Sequence, residues 1–111
     1  MKQKICFEHD LAEKDCREFI LQIPGGQDVE AFLVCFKGNY YAYRNQCPHT
    51  GANLNWQPEQ FFNYEGDFLQ CSLHGALFKP DDGKCIRGPC LGQGLVSLKV
   101  EVEDNVIFAL F

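Results

Sequence analysis

No segment of this chain sustains a helical period; its apolar residues recur in short, strand-length runs. Val96, Leu98, Val100 and Val102 alternate with Ser97, Lys99, Glu101 and Glu103, the period of a half-buried strand. Asp28 to Phe36 is nearly apolar on both faces, as a central strand would be. Lys37-Gly38-Asn39 then turns the chain into an aromatic strand, Tyr40 to Asn45, so these two segments predict a hairpin. Lys4 to Phe7 and Arg17 to Ile23 read as further strands, the second ending at Pro24-Gly25-Gly26. Glu103-Asp104-Asn105 turns the chain into a last strand, Val106 to Phe111. The middle, Gln46 to Cys90, holds four of the five prolines and only short strand-like pieces: Phe68 to Gln70, Ala76 to Lys79 and Lys84 to Ile86. An all-β fold follows, a small sandwich or barrel closed by the two ends of the chain, with a loop-rich insert capping one end.

Length and charge narrow the function classes. At 111 residues the chain is one domain's worth of sequence. No apolar run approaches the ~18–20 residues of a membrane span, and the charged first residues do not read as a secretory signal. A net charge of −5 argues against nucleic acid, which needs clustered Lys and Arg, and suits a basic protein partner. The seven cysteines are an odd number, so they cannot all pair internally. A reducing, cytoplasmic setting is expected, where clustered cysteines more often mean metal or catalysis than disulfides.

Two boxes in the insert bring cysteine and histidine together: Cys47-Pro48-His49-Thr50-Gly51 and Cys71-Ser72-Leu73-His74-Gly75. Pro48 fixes its own φ, and Gly51 and Gly75 permit a tight return. Two such loops offer two sulfurs and two nitrogens to a common centre. Thiolates with imidazoles select zinc, iron or an iron–sulfur cluster over hard cations.

The boxes resemble the Rieske pattern. The resemblance extends to His74-Gly75-Ala76-Leu77-Phe78, to the Asp82-Gly83-Lys84 turn and to Gly88-Pro89, and it spans about residues 40 to 100. It implies a single Rieske domain over 1–111, with a base of 1–46 and 91–111 and a cluster-binding insert of 47–90. It implies a [2Fe-2S] cluster with Cys47 and Cys71 on one iron and His49 and His74 on the other. Gly88-Pro89 would cover the cysteine side. Ala52 and Leu73 stand where relatives of the respiratory and photosynthetic complexes carry a disulfide pair. Ala76 and Phe78 stand where those relatives carry a serine and a tyrosine that donate hydrogen bonds to sulfur. Both differences point to the lower part of the Rieske range of potentials.

The function implied is that of a ferredoxin-like electron carrier, not an enzyme. Its expected partners are a reductase and an oxygenase or other redox protein, with no nucleic acid or membrane, and it is expected to act as a monomer. His9 is the only other histidine and the chain is short, so an oxygen-activating domain is not expected. Two alternatives stand: a non-catalytic interaction subunit that keeps the fold, and a Cys2His2 zinc-stabilised binding module. Cys85 and Cys90 are either a disulfide locking the covering loop or two buried thiols. Cys6, Cys16 and Cys35 read as packing residues, and His9 as an exposed one. Trp56, Phe61 and Phe62 read as a small satellite core or a docking patch. Glu59, Glu65 and Asp67 could steer a basic reductase or simply be solvated.

Overall fold

A computed structural model describes residues 1–48, 51–55, 57, 59–72, 75–89 and 91–111. In chain order the strands are β1 (Lys2–Phe7), β2 (Cys16–Leu21), β3 (Val29–Phe36), β4 (Asn39–Arg44), β5 (Leu69–Gln70), β6 (Leu77–Phe78), β7 (Cys85–Arg87), β8 (Ser97–Glu103) and β9 (Val106–Leu110). A short 3-10 turn, Glu8–Asp10, follows β1. Every strand read from the sequence is present, with ends shifted by a residue or two. The strands form two antiparallel sheets, β1-β9-β8-β4-β3-β2 and β5-β6-β7.

Local chemistry sets the two long hairpins. β3 and β4 pair from Ala31↔Arg44 to Phe36↔Asn39, and the two turn residues, Lys37 and Gly38, both have positive φ. Asp104 and Asn105 do the same between β8 and β9. Two-residue turns of this hand match the right-handed twist of the flanking strands.

The large sheet nearly closes on itself, and a side chain bridges its two edges. Gln3 of β1 donates to the Ile20 carbonyl at 2.7 Å and accepts from the Gln22 amide at 2.8 Å. Its carboxamide thus supplies the donor and acceptor that a neighbouring strand would have presented to β2.

Strand β3 explains its own composition. Leu33 and Cys35 face a barrel core with Cys6, Leu11, Ala42 and Ile107. Phe32 and Val34 face a second core with Tyr43, Leu54, Phe61, Leu69, Phe78 and Leu95, which belongs largely to the middle of the chain. Successive side chains point to opposite faces, so a strand with a core on each side has no polar face.

The alternation in β8 is present but delivers less burial than its pattern implies. Leu98 and Val100 pack on the barrel core, whereas Val96 and Val102 are exposed. β8 pairs with β4 only at Ala42↔Leu98 and Tyr43↔Ser97, so Val102 at its far end lies beyond the core, while Val96 precedes the strand. Among the described residues, no helix is long and apolar enough to cross a membrane.

Candidate metal centre

The two boxes fold as twins. The Cys47 amide donates to the Ala52 carbonyl and the Gly51 amide to the Cys47 carbonyl, both at 2.7 Å. The Cys71 amide donates to the Ala76 carbonyl and the Gly75 amide to the Cys71 carbonyl, both at 2.9 Å. Gly51 and Gly75 carry φ of +78° and +68°, the left-handed conformation that closes each loop and that a side chain disfavours. At loop scale the chain repeats itself: Gln46-Cys47 and Gly51-Ala52 against Gln70-Cys71 and Gly75-Ala76. The shared spacing of Gln, Cys, Gly and Ala is the signal that would have revealed it.

Two hydrogen bonds at Leu54 hold the first loop and tie it to the second. The Oδ1 of Asn45, a buried polar side chain, accepts from the Leu54 amide at 2.8 Å. The Leu54 carbonyl in turn accepts from the Ser72 amide at 2.8 Å. Leu54 itself is fully buried. Neither Asn45 nor Ser72 carries a local sequence signal, because each acts on a residue of another segment.

Cys47 and Cys71 are both at 0% exposure and share one core cluster, together with Ala76, Phe78 and Cys85. The sequence-predicted partners His49 and His74 lie outside the described residues. So does Cys90, and with it the disulfide considered with Cys85.

The covering loop fits closely. A Cβ on Gly88, whose φ is +107°, would fall 2.8 Å from the Cα of Ala76. Only glycine lets the Gly88-Pro89 segment approach the second box this closely. The next turn is anchored by Tyr43, whose hydroxyl donates to the Pro80 carbonyl at 2.7 Å. Burial pushes the Tyr43 hydroxyl well above the usual tyrosine range, so it stays a donor. A Cβ on Gly83 would fall 2.7 Å from the Tyr43 ring.

The remaining candidates are mostly accounted for. Phe61 is buried and stacks on Phe32 with centroids 3.9 Å apart, and Phe62 stacks on Phe36 at 6.1 Å. They form core, not a docking patch; Trp56 lies outside the described residues. The Glu59 carboxylate lies 3.6 Å from the Arg17 guanidinium and accepts from the Glu18 amide, so it fastens the loop to β2. Cys6 and Cys35 are buried and Cys16 half-buried, as packing residues. Burial pushes the Cys16 thiol up to about 12. His9 is exposed and stacks on Phe7.

Two buried cysteines on twin turns are a donor set suited to a metal–sulfur centre, since thiolates removed from water bind soft or borderline metals. With two histidines in the same loops, the set fits a Rieske-type [2Fe-2S] cluster.

Comparison with known proteins agrees. A family model described as the Rieske [2Fe-2S] domain matches residues 1–104. The cholesterol 7-desaturase of Xenopus laevis is 40% identical over 53 residues, which is 48% of this chain and 11% of that protein. The chain thus spans about a tenth of the length of this curated relative. Among solved structures, the ferredoxin of carbazole 1,9a-dioxygenase from Nocardioides aromaticivorans superposes with a TM-score of 0.72 at 21% identity. That match covers 98% of this chain and 96% of the ferredoxin. The terminal oxygenase of carbazole 1,9a-dioxygenase from Novosphingobium gives a TM-score of 0.76 at 20% identity, covering 98% of this chain and 29% of the oxygenase. At such identities the likeness is one of fold.

Proposed function

This chain belongs to the Rieske [2Fe-2S] domain family, and from that premise we propose that it is a one-electron carrier whose cluster is held by Cys47, His49, Cys71 and His74. The observation that carries the reading is the pair of twin turns, with both cysteines fully buried in one core. When bound, the cluster supplies a one-electron redox couple.

The chain's own residues do the rest. Cys47 and Cys71 sit out of water, and Gly88-Pro89 closes against Ala76 on that side. The repeated amide–carbonyl bonds hold both turns, and the Leu54–Ser72 link fixes one to the other. Ligands locked in this way move little when the charge at the centre changes. His49 and His74 are the ligands proposed for the outward side. The base of 1–46 and 91–111 and the insert of 47–90 are the proposed division of labour, scaffold against centre. Ala76 and Phe78 are wholly buried and lack a side-chain donor, which supports a potential in the lower part of the Rieske range.

The proposed partners are a reductase as donor and an oxygenase or other redox protein as acceptor. The fold likeness to a dioxygenase ferredoxin over nearly the whole of both chains supports this. The unbridged thiols of Cys6, Cys16 and Cys35 support a reducing, cytoplasmic setting.

Chemical analysis of anaerobically purified protein tests the reading. Two irons and two acid-labile sulfides per chain, with a Rieske EPR signal after reduction, are expected. Colourless protein holding stoichiometric zinc after anaerobic reconstitution would refute it. His49→Ala or His74→Ala should abolish the native spectrum.

A further inference from the structure

Asn45 stands one residue past β4 and two residues before Cys47. Among the described residues it is the one carboxamide side chain that is buried. Burying an amide is costly unless its groups are paired, and those of Asn45 are. Its backbone amide donates to the Glu30 carbonyl at 2.9 Å. Its Oδ1 accepts from the Leu54 amide at 2.8 Å, and its Nδ2 donates to the Oδ1 of Asn55 at 2.9 Å. With the Asn53 amide oriented to suit its neighbours, the Asn53 Nδ2 donates to the Asn45 carbonyl at 3.0 Å and to the Glu30 carboxylate at 3.2 Å.

These bonds continue in one line. The Ser72 amide donates to the Leu54 carbonyl at 2.8 Å, the Leu54 amide to Asn45, Asn45 to Asn55, and the Asn55 Nδ2 to the Gln57 carbonyl at 2.7 Å. Each bond runs from donor to acceptor in the same sense, away from the second turn, so each polarises the next. Ser72 directly follows Cys71, and Leu54 lies two residues beyond Ala52, whose carbonyl closes the first turn. The amides of Cys47, Gly51, Cys71 and Gly75 are engaged by carbonyls of their own turns. Those bonds shape each turn; the Ser72–Leu54 bond crosses from one to the other.

Resting on the electron-carrier reading above, we propose that Asn45 is a positioning residue for the centre. It comes from the end of β4, fixes the Leu54 peptide, and through Leu54 sets where the second turn stands relative to the first. The placement of Cys71 against Cys47 is thereby referred to the barrel rather than left to the insert. A donor set whose halves hold station changes little in geometry when one electron arrives, and loosening it slows the transfer.

The test compares Asn45→Ala and Asn45→Asp with Gln3→Ala, which also deletes two carboxamide bonds but at the seam of the large sheet. Aspartate keeps an acceptor for the Leu54 amide whether or not it is protonated, so it should restore what alanine loses. In Asn45→Ala, hydrogen exchange resolved to single amides should quicken about ten-fold at Leu54 and Ser72, the weight of one hydrogen bond, while Cys71 and Gly75 stay slow. Asn55→Ala breaks the line one bond further out and should quicken Ser72 in the same direction but less, which carries the test if Asn45→Ala does not fold. In film voltammetry of the loaded protein at matched driving force, Asn45→Ala should slow the interfacial transfer rate by about three-fold or more, with Asn45→Asp close to the unsubstituted protein and Gln3→Ala unchanged. Unaltered exchange at Ser72 in the variants that fold, or equal slowing by Asn45→Ala and Gln3→Ala, overturns the assignment and leaves the carrier reading standing. Absence of the Rieske EPR signal from the unsubstituted protein overturns both.

Discussion

Tyr43 ties β4 to the insert through one hydroxyl and one ring face. It lies on β4, is 1% exposed, and its hydroxyl serves the Pro80 carbonyl. Tyr43→Phe removes that donor and leaves a carbonyl short of its partner, at a cost of about 1–2 kcal/mol. Urea unfolding should show a lower midpoint with an unchanged slope. Gly88 is bound by a stricter constraint. Gly88→Ala must displace either its own loop or the backbone of Ala76, so it should loosen the centre and broaden the EPR signal. Ala76 also sets the electronics. Ala76→Ser offers a hydroxyl beside Cys71, and one added hydrogen bond of about 1–1.5 kcal/mol should raise the potential by roughly 60 mV in voltammetry. Cys16 gives a pH signature. Its thiol rises from the ordinary value of 9.0 to about 12 in the folded chain, chiefly through burial. The unfolded chain loses this proton first, so the folded state binds more protons between these values and stability falls as pH climbs from 9.0 to about 12. Urea midpoints measured across that range should fall less steeply for Cys16→Ala.

At the level of elements, the seam of the large sheet rests on Gln3. Gln3→Ala deletes both bonds to β2 at an exposed site, for about 1 kcal/mol of stability. Amide exchange at Gln22 should quicken, while exchange in the β3–β4 hairpin stays slow. This seam also marks where sequence reading stops. Strands, hairpin turns and the cysteine–histidine boxes are legible because their signals are local: period two, paired left-handed turn residues, fixed spacing. The bonds of Gln3 to Ile20, Asn45 to Leu54 and Tyr43 to Pro80 join separate segments, and none has a local motif. Cys47 and Cys71 were legible as a pair by type and spacing. Their common burial needed the fold, because it depends on Phe32 and Val34 of β3 arriving from outside the insert.

On the scale of the whole molecule, the two cores divide the consequences of losing the centre. Cys47 and Cys71 belong to the second core, which is built largely from the middle of the chain; the barrel core contains neither. Removing iron with a chelator should therefore release exchange protection in residues 47–90 before it reaches β8 and β9. Hydrogen-exchange mass spectrometry of chelated against reconstituted protein checks this, with simultaneous loss throughout as the contrary result. Between the two cores runs β3, whose odd-numbered Leu33 and Cys35 answer to one and whose even-numbered Phe32 and Val34 answer to the other. Adjacent letters of one strand thus carry separate inheritances. Across descendants of this chain, drift at Leu33 should be compensated at Ile107 or Ala42, and drift at Phe32 at Phe61. A lineage that discards its metal would be free to rewrite every second residue of the strand and keep the others.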